Sequence, residues 1–153
     1  MRSALVAAGL LAAALSGCSP SAPPGVDKAA LDEAISEAIG DPGTCVLIAD
    51  QDRKLLYQFG THMVCGRNLP ACDGPGDRTL EQLLKTAPTS GTAQTASCRS
   101  NADGSRLVAW AAGPVEGKPM VFAAVMEGDL VPPGIVIADK LKGAFARAGL
   151  SGK

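Results

Sequence analysis

The sequence has few of the side chains on which several common kinds of binding site depend. It contains one Trp, one Tyr and three Phe residues, too few to provide stacking platforms for sugars or single-stranded nucleic acid. Its 14 basic and 15 acidic residues nearly balance and form no basic run, which argues against a nucleic-acid partner. The apolar run at residues 4–15 is shorter than the about 20 residues that a membrane-spanning helix needs. This run therefore favours a secretion signal over a permanent membrane helix.

The N-terminal segment has the features of a bacterial secretion signal that ends in a lipidation site. Arg2 gives a positive start, the apolar run follows, and Leu15-Ser16-Gly17-Cys18 closes the segment. This ending resembles the lipobox of bacterial lipoproteins, in which the peptidase cleaves before a cysteine that carries acyl chains. The resemblance implies a signal peptide over residues 1–17 and a lipid anchor on Cys18 that keeps the protein on its membrane. The alternative is an ordinary secretory signal with a chance cysteine.

The residues after the lipobox predict a tether and one folded domain. Ser19, and not an aspartate, follows Cys18, and by resemblance to enterobacterial lipoproteins this favours the outer membrane, with the protein facing the periplasm. Residues 18–25 lack apolar anchors and are rich in proline, so they are predicted to form an extended, lipid-anchored tether. Residues 26–150 have the usual length of a single domain and show no internal repeat.

The hydrophobic pattern predicts a helix at each end of this domain. Apolar side chains recur at helical spacing between residues 26 and 39, and Gly-Asp-Pro-Gly at 40–43 stops that helix. Pro132-Pro133 introduces the last helix, which Gly149 ends. Each helix has a single apolar face, so both helices need a sheet to pack against.

Strands and a short helix are predicted between the two terminal helices. Thr79 and Gln82 form a capping box for a short helix through Lys85. The predicted strands are residues 45–49, 55–59, 95–99, 106–112 and 119–127. This order predicts an α+β fold, in which N- and C-terminal helices cover a five-stranded antiparallel sheet. The result is a two-layer sandwich with its first and last strands adjacent, stabilised by disulfides.

An even number of cysteines remains for an oxidising compartment after lipidation: Cys45, Cys65, Cys72 and Cys98. They predict two disulfides, for which three pairings are possible. The pairing Cys45–Cys65 with Cys72–Cys98 is preferred because it ties down the long loop that has least core of its own. The rival pairs Cys65 with Cys72 around the Asn68-Leu69-Pro70 turn and leaves Cys45 with Cys98.

The stretch HMVCGRNLPACDGPG, residues 62–76, contains the single histidine and is the main candidate for chemistry. A zinc site would use His62, Cys65 and Cys72, but zinc usually takes four ligands with close pairs, and only the His62/Cys65 spacing fits. A thiol enzyme would use Cys72 with His62 as its base, although the sequence offers no obvious group to orient the imidazole. The stretch is therefore interpreted as a disulfide-stapled loop, with no metal and no cofactor.

Several short pieces resemble class D β-lactamases and related penicillin-recognising serine enzymes. CVLIADQDRKLLYQFG, residues 45–60, is similar to their opening hairpin, and residues 108–128 are similar to a later hairpin. Cys72 follows Leu-Pro-Ala, where such enzymes have their nucleophilic serine after Pro-Ala. Ser90-Gly91-Thr92 is similar to their Lys-Thr-Gly strand. The resemblance implies a sheet of the penicillin-recognising kind.

The departures from that family remove its catalytic groups. Pro75 stands where the catalytic lysine is expected, Thr89 replaces the lysine of Lys-Thr-Gly, and the chain has no Ser-x-x-Lys sequence. The resemblance therefore implies a degenerate domain that has lost hydrolysis and retains, at most, the binding of a peptidoglycan-related ligand. The order of elements alone also fits the roadblock and profilin-like group of small binding modules.

These observations favour a non-catalytic lipoprotein that acts as a binding or assembly module at the bacterial envelope. Its expected partners are the membrane, through Cys18, and an envelope protein. One alternative is the degenerate β-lactamase-like domain described above. The other is a thiol-dependent enzyme that uses Cys72.

Overall fold

The computed structural model describes residues 21–152. The predicted signal peptide, the lipobox and the start of the tether lie outside these residues. In chain order the elements are α1 (Lys28–Ile39), β1 (Thr44–Asp50), β2 (Leu55–Phe59), α2 (His62–Cys65), β3 (Leu69–Pro70), β4 (Asp77–Arg78), α3 (Leu80–Lys85), β5 (Gln94–Arg99), β6 (Leu107–Pro114), β7 (Met120–Gly128) and α4 (Gly134–Arg147). Within the described part of the chain, no helix is both long enough and apolar enough to cross a membrane.

The main sheet has five antiparallel strands in the order β2-β1-β7-β6-β5. This arrangement confirms the predicted α+β fold, including the adjacency of the first and last strands. The register of β1 and β7 runs without interruption from Thr44 opposite Met126 to Asp50 opposite Met120. Strands β2 and β5 form the two edges of the sheet.

The terminal helices α1 and α4 cover one face of the sheet, as predicted. Alternate residues of β7 point to opposite faces, so that Phe122 and Ala124 join the core under the helices. Leu31 of α1 and Leu141 of α4 are fully buried in the same core. The central strands read as nearly continuous apolar runs because the sheet is buried on both faces.

The middle segment of the chain covers the opposite face of the sheet, so it adds a third layer to the predicted two-layer sandwich. The predicted helix is present as α3, with both hydrogen bonds of its capping box: the Gln82 N–H donates to Thr79 Oγ1 (3.3 Å), and the Thr79 N–H donates to Gln82 Oε1 (2.9 Å). Its leucines pack on this second face. The sequence did not predict α2 or the small β3–β4 hairpin, because elements of two to four residues are too short to show a hydrophobic period.

The start of α4 lies so close to the sheet that its first residue must be glycine. A Cβ at Gly134 would overlap the main-chain oxygen of Trp110 and lie 3.1 Å from the main-chain oxygen of Ala96. The Gly134 N–H also donates to Ser97 Oγ at 2.9 Å. These contacts seat α4 against β5 and β6.

Gly134→Ala should therefore destabilise the protein by about 2–3 kcal/mol, because the added methyl forces α4 away from the sheet. Gly143→Ala, in the same helix, is the matched control, since a Cβ there meets only the end of the Arg147 side chain at 3.4 Å. The control should stabilise the protein by about 0.5–1 kcal/mol through helix propensity. Chemical denaturation of both variants measures this difference, and equal stabilities would contradict the close seating of α4.

Candidate functional site

The cysteines of the middle segment are bonded in the preferred pattern. The Sγ atoms of Cys45 and Cys65 are 2.02 Å apart, and those of Cys72 and Cys98 are 2.13 Å apart. Cys98 belongs to the edge strand β5, so the second bond joins the loop after β3 to the sheet. With both bonds formed, Cys65 and Cys72 have no thiol to offer to a metal or a substrate.

The cleft that His62 lines does not include Cys72. His62 begins α2 and lines this cleft of about 360 Å³ together with Cys65, Arg53 and Glu81. Among residues 21–152, no group of three or more His, Cys, Asp or Glu side chains is placed to hold a metal ion. The structure therefore does not assemble the His62/Cys65/Cys72 set that a zinc site or a thiol enzyme would require.

The Leu-Pro-Ala-Cys stretch is packed against the sheet. Trp110, which is buried in β6 as part of the core, donates from Nε1 to the Pro70 main-chain oxygen at 2.8 Å. The Arg78 guanidinium stacks over the Trp110 ring at 4.9 Å from its centroid and pairs with Asp73 at 2.9 Å. This packing holds the loop around Cys72 as a structural part of the fold.

Sequence reasoning missed a buried carboxylate at the end of β7. Glu127 is 4 % exposed and accepts hydrogen bonds from Arg106 Nε (2.7 Å) and Nη2 (2.8 Å), from Ser100 Oγ (3.2 Å) and from Arg67. The hydrogen bonds from Arg106, helped by Arg67, lower the pKa of Glu127 from 4.5 to about 2, against the opposing effect of burial. The sequence signal for this buried group was Glu127 itself, a charged residue near the end of an otherwise apolar strand. The group ties β7 to two surface loops and leaves its carboxylate no free side for a ligand.

The structure contains a cavity of about 780 Å³, called the α4 cavity below. Its walls are α4, residues 89–93, which precede β5, and the β6–β7 hairpin at residues 114–119. The rings of Phe122 and Phe145 meet edge to face on its floor, with centroids 5.5 Å apart. Sites for small molecules commonly have volumes of about 300–1,000 Å³ and a largely apolar lining.

The rim of the α4 cavity is polar and carries charges of both signs. Lys142 of α4 pairs with Glu116 of the hairpin at 3.1 Å. Lys118 and Asp139 also line the cavity, and neither side chain has an ion-pair or hydrogen-bond partner among residues 21–152. In the same part of the chain, the N–H groups of residues 89–92 donate no hydrogen bond to the protein. The rim can therefore bond to a ligand at several points.

The α4 cavity and Cys72 lie on different sides of the sheet. Phe122 and Phe145 belong to the core under the terminal helices, whereas Cys72 and Cys98 pack against the core on the opposite face. Ser90-Gly91-Thr92 lines the α4 cavity, and Cys72 does not. The structure thus does not bring Cys72 and Ser90-Gly91-Thr92 into one groove, which the penicillin-recognising interpretation requires.

Comparison with known proteins finds no relative: no family model, no curated protein and no solved structure matches this chain. Evidence about its function therefore comes from its own residues.

Proposed function

We propose that this protein is a lipid-anchored binding module of the bacterial envelope, which holds its ligand in the α4 cavity. The observation that carries the proposal is the combination of an apolar floor at Phe122 and Phe145 with a polar rim on which Lys118, Asp139 and the N–H groups of residues 89–92 have no partner within residues 21–152. Ala93, Ala138 and Ile135, beside the buried aromatic pair, provide apolar surface for a ligand to cover, and the rim provides donors and acceptors that fix its orientation. The close packing of α4 against β5 and β6 holds these walls in place.

The arrangement of the cavity supports binding more than catalysis. Ser90 has an exposed hydroxyl at the rim, but within residues 21–152 it has no hydrogen bond to a side chain that would act as its base. A nucleophilic serine is normally activated by such a contact. The thiol alternative would need Cys72, whose sulfur is bonded to Cys98.

The anchor part of the proposal rests on Leu15-Ser16-Gly17-Cys18 and the short tether. Seven residues of extended chain reach at most about 25 Å, so the domain would stay close to the membrane surface.

Cells supplied with an alkyne-labelled palmitate should incorporate the label into the wild-type protein and into the Ser19→Ala control. Cys18→Ser should carry no label. A labelled Cys18→Ser protein would contradict lipidation at this residue.

A photo-crosslinking residue placed at Ile135 tests the binding part of the proposal in intact envelopes. Ile135 is 62 % exposed and lies at the edge of the α4 cavity. Met63, 85 % exposed on α2, is the control position because it is also an apolar side chain at the surface but does not line the cavity. We expect a crosslinked adduct from position 135 and none from position 63.

A cavity-filling variant makes this test specific. Ala138→Trp places a large ring in the α4 cavity, and Ala146→Trp places the same ring on an exposed part of the same helix. We expect the adduct at position 135 to disappear in Ala138→Trp and to persist in Ala146→Trp. Equal yields in both variants, or no adduct at position 135, would overturn the proposal.

A further inference from the structure

We propose that the ligand of the α4 cavity is a short peptide that carries an apolar side chain and charged groups of both signs. This inference rests on the proposed function and adds the chemical class of the ligand. Three features of the cavity argue for a peptide: its floor, its unpaired main-chain groups and the placement of its charges.

The floor of the cavity suits an apolar side chain. Phe122 and Phe145 present an edge-to-face aromatic pair, with Ala93, Val115 and Ala138 around it. Phe122, Phe145 and Val115 are themselves almost fully buried, so the apolar surface that a ligand side chain removes from water is that of Ala93, Ala138 and the exposed Ile135, together with its own. This removal is favourable in proportion to the area covered. The cavity volume of about 780 Å³ leaves room for the ligand's main chain beside that side chain.

The wall formed by residues 89–92 suits main-chain amides. Within the described residues, the N–H groups of this segment make no hydrogen bond to the protein, and its hydroxyls at Thr89, Ser90 and Thr92 also have no partner. A ligand that covers these groups without bonding to them takes them out of water at a cost in free energy. A peptide supplies both donors and acceptors at this wall, whereas an acyl chain supplies neither.

The charged side chains of the rim suit a ligand that carries both a positive and a negative charge. Lys118 lies on the hairpin and Asp139 on α4, two different walls of the cavity, and within residues 21–152 each lacks an ionic partner. A peptide with free termini can place its carboxylate at Lys118 and its ammonium at Asp139. A fatty acid would use only the lysine. Because both side chains are exposed, each contact contributes modestly and mainly sets the direction of binding.

An apolar segment continues the surface beyond the cavity. Residues 130–136 have no polar side chain, and Leu130 is 92 % exposed. Ile135 belongs to this segment and also lines the cavity, so the two apolar surfaces meet. A peptide longer than the cavity can therefore keep an apolar contact outside it.

Equilibrium titration of the mature lipidated protein in lipid nanodiscs tests this inference. One probe is a pool of tripeptides with free termini and a central Phe, Leu or Val. The comparison probes are a matched pool with central Ser or Asn, the first pool with both termini capped, and octanoate. We expect saturable binding of the first pool, binding at least about tenfold weaker for the Ser/Asn pool, because the floor is no longer covered, and about threefold weaker for the capped pool.

Substitutions inside and outside the α4 cavity test whether the peptides bind there. Lys118→Ala and Asp139→Ala should each weaken binding of the free peptides about threefold and leave the capped peptides unchanged. Ala138→Trp should abolish binding, and Ala146→Trp should not change it. The capped-peptide comparison needs no substitution, so it stays informative if a variant folds poorly.

The results separate this inference from the proposed function. Octanoate binding without peptide binding would overturn the inference, and so would peptide binding that is unchanged by Ala138→Trp. If no peptide binds while the adduct at Ile135 still forms, the inference is wrong and the proposed binding function stands. If both are missing, both are wrong.

Discussion

Replacing Cys72 and Cys98 together with serine is expected to lower the free energy of unfolding by about 3 kcal/mol. The bond closes a loop with a sequence separation of 26 residues and joins it to the edge strand β5. Without the bond, the unfolded chain regains the conformations that the closed loop excludes. A loss of this size is a large share of the about 5–15 kcal/mol by which domains are usually stable.

Urea denaturation of the double variant and of the wild type measures this loss. Reduction by dithiothreitol provides the matched control, because it breaks both disulfides in the wild type but only Cys45–Cys65 in the variant. The reductant should therefore destabilise the wild type more than the variant. A double variant as stable as the wild type would show that the Cys72–Cys98 bond contributes nothing to the folded state.

Glu127→Gln is expected to cost about 2–3 kcal/mol, because a charged acceptor is lost from a buried group of hydrogen bonds. An amide has a single, uncharged oxygen in place of two charged ones, and Arg106 donates to both oxygens of Glu127, so at least one of its two contacts is lost. Asp129→Asn is the matched control, since Asp129 pairs with the same Arg106 but is exposed. The control should change stability by less than about 0.5 kcal/mol.

The effect of Glu127→Gln should depend on pH in a defined direction. The pKa of Glu127 is lowered from 4.5 to about 2 in the folded protein, so the folded state favours the ionised carboxylate. The stability that this charge contributes is present in full above the unfolded pKa of 4.5 and is lost as pH falls toward about 2. The stability gap between wild type and variant should narrow over that interval. A gap that stays constant would contradict the lowered pKa.

The parts of the fold that sequence predicted are those with local causes. The period of apolar residues marks α1 and α4, and the Thr79–Gln82 spacing marks the start of α3. The pairing of Cys45 with Cys65 followed from the positions of β1 and β2, since folding back the end of β2 brings these two residues together. The hydrophobic period and the capping box depend on residues that lie close together in the chain.

The candidate site was not predicted as a cavity, although the sequence singled out Ser90-Gly91-Thr92 on one of its walls. Three distant segments form the α4 cavity: residues 89–93, the hairpin at 114–119 and one side of α4. None of them has a pattern that marks a cavity, because the space between them depends on how closely α4 approaches the sheet. The Glu127 group was missed for a similar reason, since Arg67 and Arg106 are 60 and 21 residues away from it in the chain.

Whether Cys72 is bonded decides between a binding module and a thiol enzyme, and a disulfide map of the mature protein measures it directly. The protein is alkylated without reduction, digested and analysed by mass spectrometry. The structure predicts peptides joined through Cys45–Cys65 and Cys72–Cys98, with no alkylation of these four residues. Alkylated Cys72 beside an intact Cys45–Cys65 bond would contradict the stapled loop and favour a reactive thiol in the stretch of residues 62–76.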